Sequence, residues 1–277
     1  MRHDEHFFAA RDGLRLYAQW WLPEDEPTAV VAVVHGIMEH GGRYAKLAED
    51  LTRHGYAVCA LDLYGHGRSD GDRVMVRAFD DYLINVELFL EQVEKRLPNK
   101  PVFLFGHSMG GAIVALLGIL RPPNVRGLVL SAPPVIVGGA VFPVLRHLAA
   151  IVSRIWPSLR LTRLGSRFIS RDPAVVEAFR NDPLVYHGRF PVRTGAEVLQ
   201  AAKRIQAGAQ KMELPLLVLH GTGDIVTDHQ GSRLLVARAA SADKTLRLYD
   251  GFYHEVLSEP ERDQVMADLL AWLDAHR

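Results

Sequence analysis

Short apolar runs alternate with amphipathic stretches along most of the chain. Residues 7–11 and 14–22 flank Asp12-Gly13, the signal of a tight hairpin. Ala29–Val34 is continuously apolar and largely β-branched, as a strand buried on both faces should be. Tyr44, Leu47, Ala48 and Leu51 then recur at helical spacing and Gly55 closes the pattern. Tyr56–Leu61 reads as a strand, and Phe79, Tyr82, Leu83, Val86, Phe89 and Val93 predict a long amphipathic helix stopped before Pro98. Residues 102–105 predict a strand and 112–120 an apolar helix, with a further strand at 125–130. Strands at 216–219 and 246–249 follow, separated by a helix around 232–240, and a last helix covers about 261–275.

Two hairpin strands followed by six strands alternating with helices describe an α/β architecture: a mostly parallel eight-stranded sheet with helices on both faces. Such sheets bind ligands at the carboxyl ends of their strands. The alternation stops between Pro133 and Lys211, a stretch rich in proline and arginine. The expected organisation is therefore a core of residues 1–132 and 212–277, with 133–211 a cap inserted between the sixth and seventh strands.

Composition narrows the function classes. The 277 residues are 48% hydrophobic and 23% charged, and 32 basic residues balance 32 acidic ones, so nothing global points to nucleic acid. The single cysteine, Cys59, excludes internal disulfides and cysteine-based metal clusters, and its apolar surroundings predict an inert thiol. The polar start of the chain precedes no signal-peptide core, and no uncharged stretch reaches membrane-spanning length. A cytoplasmic protein is expected.

The chemistry begins at Gly106-His107-Ser108-Met109-Gly110, between the predicted strand and the apolar helix. This is the strand–turn–helix setting of the G-x-S-x-G nucleophile elbow. Small residues two positions either side of the serine are required because the turn is crowded. The Met109 N–H then faces a developing oxyanion at a helix N-terminus. A serine nucleophile needs a base and the base an orienter. Among 13 histidines, His254 lies directly after the last strand, and Asp224 follows the penultimate one. The order Ser108, Asp224, His254 is that of the α/β-hydrolase triad. Asp228 is the rival orienter. The second oxyanion donor is expected from the main chain of Ile37 in His35-Gly36-Ile37, with His35 propping the loop and His66 structural.

Serine at the elbow argues against chemistry that needs a carboxylate nucleophile. No dinucleotide or Walker sequence follows a strand, and the histidines lack metal-ligand spacing, so neither cofactor nor metal is expected.

With His35-Gly36, Glu39-His40, Gly42-Arg43-Tyr44, the run Asp62 to Ser69, the elbow, His220-Gly221 with Asp224, and Tyr253-His254-Glu255, the chain resembles the monoacylglycerol lipase branch of serine α/β-hydrolases, including bacterial lysophospholipase-like members. Asp172-Pro173 and the run Asn181 to Val185 resemble the cap of the bacterial members, whereas Ile37-Met38 replaces smaller residues of mammalian ones. The resemblance implies the α/β-hydrolase fold, an apolar acyl tunnel under a mobile cap, and hydrolysis of a single fatty acyl ester of glycerol. Glu39, His40 and Arg43 would then support the loop beside the pocket. Other carboxylesterase or lysophospholipase activity, a serine peptidase, and a non-catalytic binding protein are the alternatives. A peptidase would need an acidic anchor for the substrate amine, and the cap offers no acidic cluster. Residues 141–171 hold apolar side chains interleaved with Arg146, Arg154, Arg160, Arg163, Arg167 and Arg171 and no carboxylate, a composition that predicts peripheral membrane contact through the cap.

Overall fold

The computed structural model describes residues 1–11, 13–137, 149–162 and 165–277. Eight strands form one sheet in the order β1-β2-β4-β3-β5-β6-β9-β10. They are β1 (Arg2–Ala9), β2 (Arg15–Leu22), β3 (Ala29–Val34), β4 (Tyr56–Leu61), β5 (Val102–His107), β6 (Gly127–Ser131), β9 (Leu216–Gly221) and β10 (Lys244–Tyr249). β1 and β2 run antiparallel, and β4, β3, β5, β6, β9 and β10 are parallel neighbours.

Period-two alternation within the buried strands sends side chains to two separate cores. Val30, Ala32 and Val34 of β3 join a layer built from α2 (Phe79–Arg96), α3 (Met109–Leu120) and α6 (Val192–Gly208). Val31 and Val33 face the other layer, formed by α1 (Ala45–Arg53) and α8 (Arg262–His276). Each such fully buried aliphatic side chain contributes roughly 1.5–3 kcal/mol, so both layers hold the helices against the sheet.

The edge strands depart most from the sequence expectation. β1 starts at Arg2, five residues before the apolar signal, because its sequence RHDEHFFA is polar and mostly exposed and is recruited by pairing Arg2 to Leu22 through Ala9 to Arg15. Asp12 of the predicted turn lies outside the described residues. β10 likewise begins at the exposed Lys244. At the elbow, β5 runs on to His107 and α3 begins at Met109, so only Ser108 separates strand from helix.

Between β6 and β9, the sixth and seventh strands of the sheet, lie α4 (Ala149–Ile155), β7 (Arg160–Thr162), α5 (Pro173–Asn181), β8 (Phe190–Pro191) and α6. β7 and β8 pair antiparallel and form a small separate sheet. α6 lies within residues 133–211, yet it packs against α3, and its Ala201 and Ile205 belong to the main core with Val114 and Leu117.

Candidate active site

Ser108 occupies φ 51°, ψ −120°, a conformation that costs a non-glycine residue about 1–3 kcal/mol. The sequence around it makes that turn the one available. A Cβ on Gly106 would sit 2.4 Å from the Gly110 carbonyl oxygen, and one on Gly110 would sit 2.1 Å from that of Val34. The Ser108 N–H donates to Ser131 O at 2.9 Å, which ties the turn to β6. The side chain is thereby held at the N-terminus of α3, beyond the end of β5.

Two loops at the same sheet edge reach it. His254, in the loop after β10, accepts from Ser108 Oγ at Nε2 over 2.8 Å and donates from Nδ1 to Asp224 Oδ2 over 2.7 Å. Asp224 follows β9, and its Oδ1 accepts from the Val226 and Thr227 N–H groups at 2.7 and 3.1 Å. Thr227 Oγ1 donates to Oδ2 at 2.7 Å, and His220 Nε2 lies 3.2 Å from the same atom. Burial alone would raise the Asp224 carboxyl, but the imidazoles of His254 and His220 outweigh it and hold the group far below the usual carboxylate range. Burial lowers His254, while the Asp224 charge and hydrogen bond outweigh burial and leave it above its ordinary value. Asp228 is placed elsewhere: it caps α7 (His229–Arg238), accepting from Gln230 N at 2.9 Å.

The loop after β3 forms the opposite wall. Gly36 N donates to Glu39 Oε1 at 2.6 Å and is therefore occupied. Ile37 and Met109 line an apolar cavity together with Ser108. His35 fixes the loop from below: Nδ1 lies 2.6 Å from Gly36 O, and Nε2 accepts from Leu63 N at 2.9 Å. His66 lies behind it with Nδ1 at 2.9 Å from Tyr64 O. Burial pushes His35 down to about 3 and His66 down to about 4, so both are neutral props. Met38 takes φ 70° and its carbonyl accepts from Tyr186 N of the inserted segment at 2.8 Å.

Glu39, His40 and Arg43 all act in this wall. His40 Nε2 reaches Asp182 Oδ2 at 2.9 Å. Arg43 bonds Glu39 and forms a bidentate pair with Glu255 at 2.8 and 2.8 Å. Sequence reasoning missed Thr227 and His220 as partners of Asp224. Their spacing from Asp224, three residues after and four before, was the available signal.

Two cavities meet at Ser108. One of about 440 Å3 is apolar, walled by Ile37, Met109, Pro134, Val137, Phe190 and Val198. The other, of about 500 Å3, lies between the core residues Glu39, Arg43 and Glu255 and the inserted residues Ser166, Ile169 and Phe179. Among the described residues no cluster could hold a metal ion, and no helix is long and apolar enough to cross a membrane.

A family profile described as serine aminopeptidase, S33, matches residues 25–261. The chain belongs to this family. Within it, the chain is 38% identical over 272 residues to a monoacylglycerol lipase of Mycolicibacterium smegmatis, covering 98% of this chain and 97% of that one. It is 36% identical over 265 residues to the human monoglyceride lipase, with 95% and 88% covered. The crystal structure of a Paleococcus ferrophilus monoacylglycerol lipase superposes with a TM-score of 0.84 at 31% identity, over 100% of both chains. The architecture is the α/β-hydrolase fold with an insertion between the sixth and seventh strands.

Proposed function

We propose that this member of the family is a serine esterase that hydrolyses monoacylglycerols through an acyl-enzyme. The observation that carries the reading is His254 bridging Ser108 and Asp224 at 2.8 and 2.7 Å beside an apolar cavity. Asp224 orients His254, which takes the Ser108 proton as Oγ attacks the ester carbonyl. The main-chain N–H groups of Ile37 and Met109 receive the oxyanion, each contributing roughly 3 kcal/mol to the transition state. Protonated His254 passes its proton to the departing glycerol oxygen. Water, activated by the same imidazole, then releases the fatty acid. This chemistry requires no cofactor.

The apolar cavity suits one acyl chain, and the side bearing Glu39, Arg43 and Glu255 suits a polyol. The relatives named as monoacylglycerol and monoglyceride lipases support that substrate class. The family's peptidase description motivates a second reading, in which a carboxylate anchors a substrate amine. Both carboxylates at the pocket, however, are already ion-paired to Arg43. Fluorophosphonate labelling of Ser108, with a chain-length series of monoacylglycerols run against amino-acid amides, tests the reading. Faster cleavage of the amides, or labelling that persists in Ser108→Ala, overturns it.

Residues 133–211 act in this reading as the cap, which also meets the membrane. Ile155 and Trp156, at the end of α4, are 78% and 64% exposed, beside the exposed Arg154. Arg160 is not free for lipid: its guanidinium holds Tyr186 Oη at 2.7 Å and the Arg189 and Arg73 carbonyls at 3.2 Å each. Arg171 is likewise paired, to Glu259 and Glu261, while Arg146 and Arg163 lie outside the described residues. Co-sedimentation with anionic vesicles should therefore weaken in Ile155→Ser/Trp156→Ser and fade with salt. Equal binding by this variant refutes the contact.

A further inference from the structure

The Arg43 guanidinium sits where two loops of the site come together. On one side it bonds Glu39, whose Oε1 accepts from Gly36 N at 2.6 Å, so it reaches the Gly36-Ile37 loop through one carboxylate. On the other it grips Glu255 with two bonds of 2.8 Å, and Glu255 is covalently next to His254. The Glu255 N–H is itself fixed by Ile169 O at 2.7 Å, so the Glu255 backbone is anchored too. Glu39 and Glu255 are 3% and 8% exposed, and the Arg43 side chain 14%. Such sheltered, charge-assisted and bidentate contacts are stiff. The two carboxylates belong to loops after β3 and β10, and the sheet places three strands between these two.

We propose that Arg43 is a positioning residue that sets the distance between the oxyanion-binding loop and the His254 loop, so that both halves of the reaction centre keep one geometry. The proposal rests on the reading of Ser108, His254 and Ile37 given above. Holding reacting groups to within about 1 Å is worth on the order of 10²-fold in rate. Arginine is required because a lysine ammonium cannot serve both carboxylates in a fixed fork.

The test uses a short-chain p-nitrophenyl ester, whose leaving group carries no glycerol hydroxyls. Direct recognition of the polyol by Arg43 then leaves no trace in the rates. Arg43→Met is expected to lower kcat by about 10²-fold with KM changed less than about threefold, and Arg43→Lys to restore about a tenth of the parent rate. Affinity for a trifluoromethyl ketone, which forms the tetrahedral adduct, should weaken in parallel with kcat/KM. Should Arg43→Met fail to fold, Glu39→Gln, Glu255→Gln and the double variant decide. Each single change should cost about tenfold and the pair far less than the product, because both act through one guanidinium. Multiplying effects, a change confined to KM, or an unaltered kcat in Arg43→Met overturns the proposal. Absence of fluorophosphonate labelling at Ser108 in the parent protein overturns instead the reading beneath it.

Discussion

Acid should unfold this protein through three histidines buried as neutral rings. Burial pushes His35 down to about 3, and His66 and His107 each down to about 4, from an ordinary value of 6.5. Neighbouring charge adds to burial at two of them, Arg73 acting on His66 and His254 on His107, and the opposing Glu39 carboxylate does not overcome burial at any of the three. All three are at most 5% exposed; His35 holds the loop after β3, and His107, next to Ser108, has Nδ1 3.1 Å from Ser131 Oγ at the end of β6. Because the folded pKa is depressed, the unfolded chain takes up protons below pH 6.5 that the folded protein refuses. Stability is then lost as pH falls, by about 1.4 kcal/mol per pH unit for each ring. Three rings approach about 4 kcal/mol per unit once the unfolded rings are mostly protonated, or about 6 kcal/mol between pH 7 and 5.

His254 does not cancel this loss. Its folded value is raised, so its contribution is fully present below the unfolded value of 6.5 and is lost as pH rises through the higher folded value. Depressed carboxylates such as Glu39, held at about 2 as Arg43 overcomes the opposing effect of burial, add their own loss only below about pH 4.5. Against a typical total of about 5–15 kcal/mol, a loss of about 6 is decisive. Thermal melts at pH 7, 6 and 5 should show Tm falling by at least about 10 °C at the lowest pH. His66→Phe should reduce the slope of urea-derived stability from about 4 to about 3 kcal/mol per unit between pH 6 and 5. A flat stability profile across that window refutes the argument, because three neutral buried rings leave no route to it.

Ser108→Ala, His254→Ala and Asp224→Asn should each lower kcat by at least about 10³-fold with melting temperature retained, and a crippling Asp228→Asn beside a mild Asp224→Asn would show the orienter to be misassigned. The acid limb of kcat/KM should lie above pH 6.5, since His254 must be neutral to accept the Ser108 proton and Asp224 holds its pKa up; a limb below 6 contradicts that electrostatic picture. Monoacylglycerols should turn over much faster than emulsified triacylglycerols, because among the described residues a single apolar cavity, walled by Ile37, Met109, Phe190 and Val198, opens beside Ser108 for an acyl chain; comparable rates argue against it. Gly110→Ala should destabilise the protein beyond about 3 kcal/mol or prevent folding, since its Cβ would meet Val34 O at 2.1 Å; a normal melt shows that the elbow relaxes.

What the sequence disclosed depended on whether a residue's role follows from its position along a strand. Runs such as Ala29–Val34 and Tyr56–Leu61 are buried on both faces, so hydrophobicity alone marks them. β1 and the start of β10 were obscured because an edge strand is made by pairing to a neighbour, which leaves polar residues such as Asp4 and Lys244 in place. The inserted segment was legible only as an interruption. Its helices answer to the site and to α3 more than to a core of their own, as Ile205 against α3 and Phe179 at the Ser108 cavity show.

The same distinction governs the site. Parallel strands in close register end along one edge, with Val34 opposite Gly106, His107 opposite Ser131, Ser131 opposite Leu219, and Gly221 opposite Tyr249. Any residue a few positions past those ends is delivered to one line, so Ile37, Ser108, Asp224 and His254 could be chosen by counting from predicted strands. The groups that hold them obey no such count. Arg43 and Glu255 are 212 residues apart, and nothing in the spacing of either announces the other. His220 is the penultimate residue of β9, and only folding the following turn back brings its Nε2 to 3.2 Å from Asp224. Topology therefore delivers these four residues to one edge, while their fine positions depend on side-chain pairs that only the folded loops create. On this argument Arg43→Met should leave Ser108, Asp224 and His254 at the sheet edge and still slow the reaction.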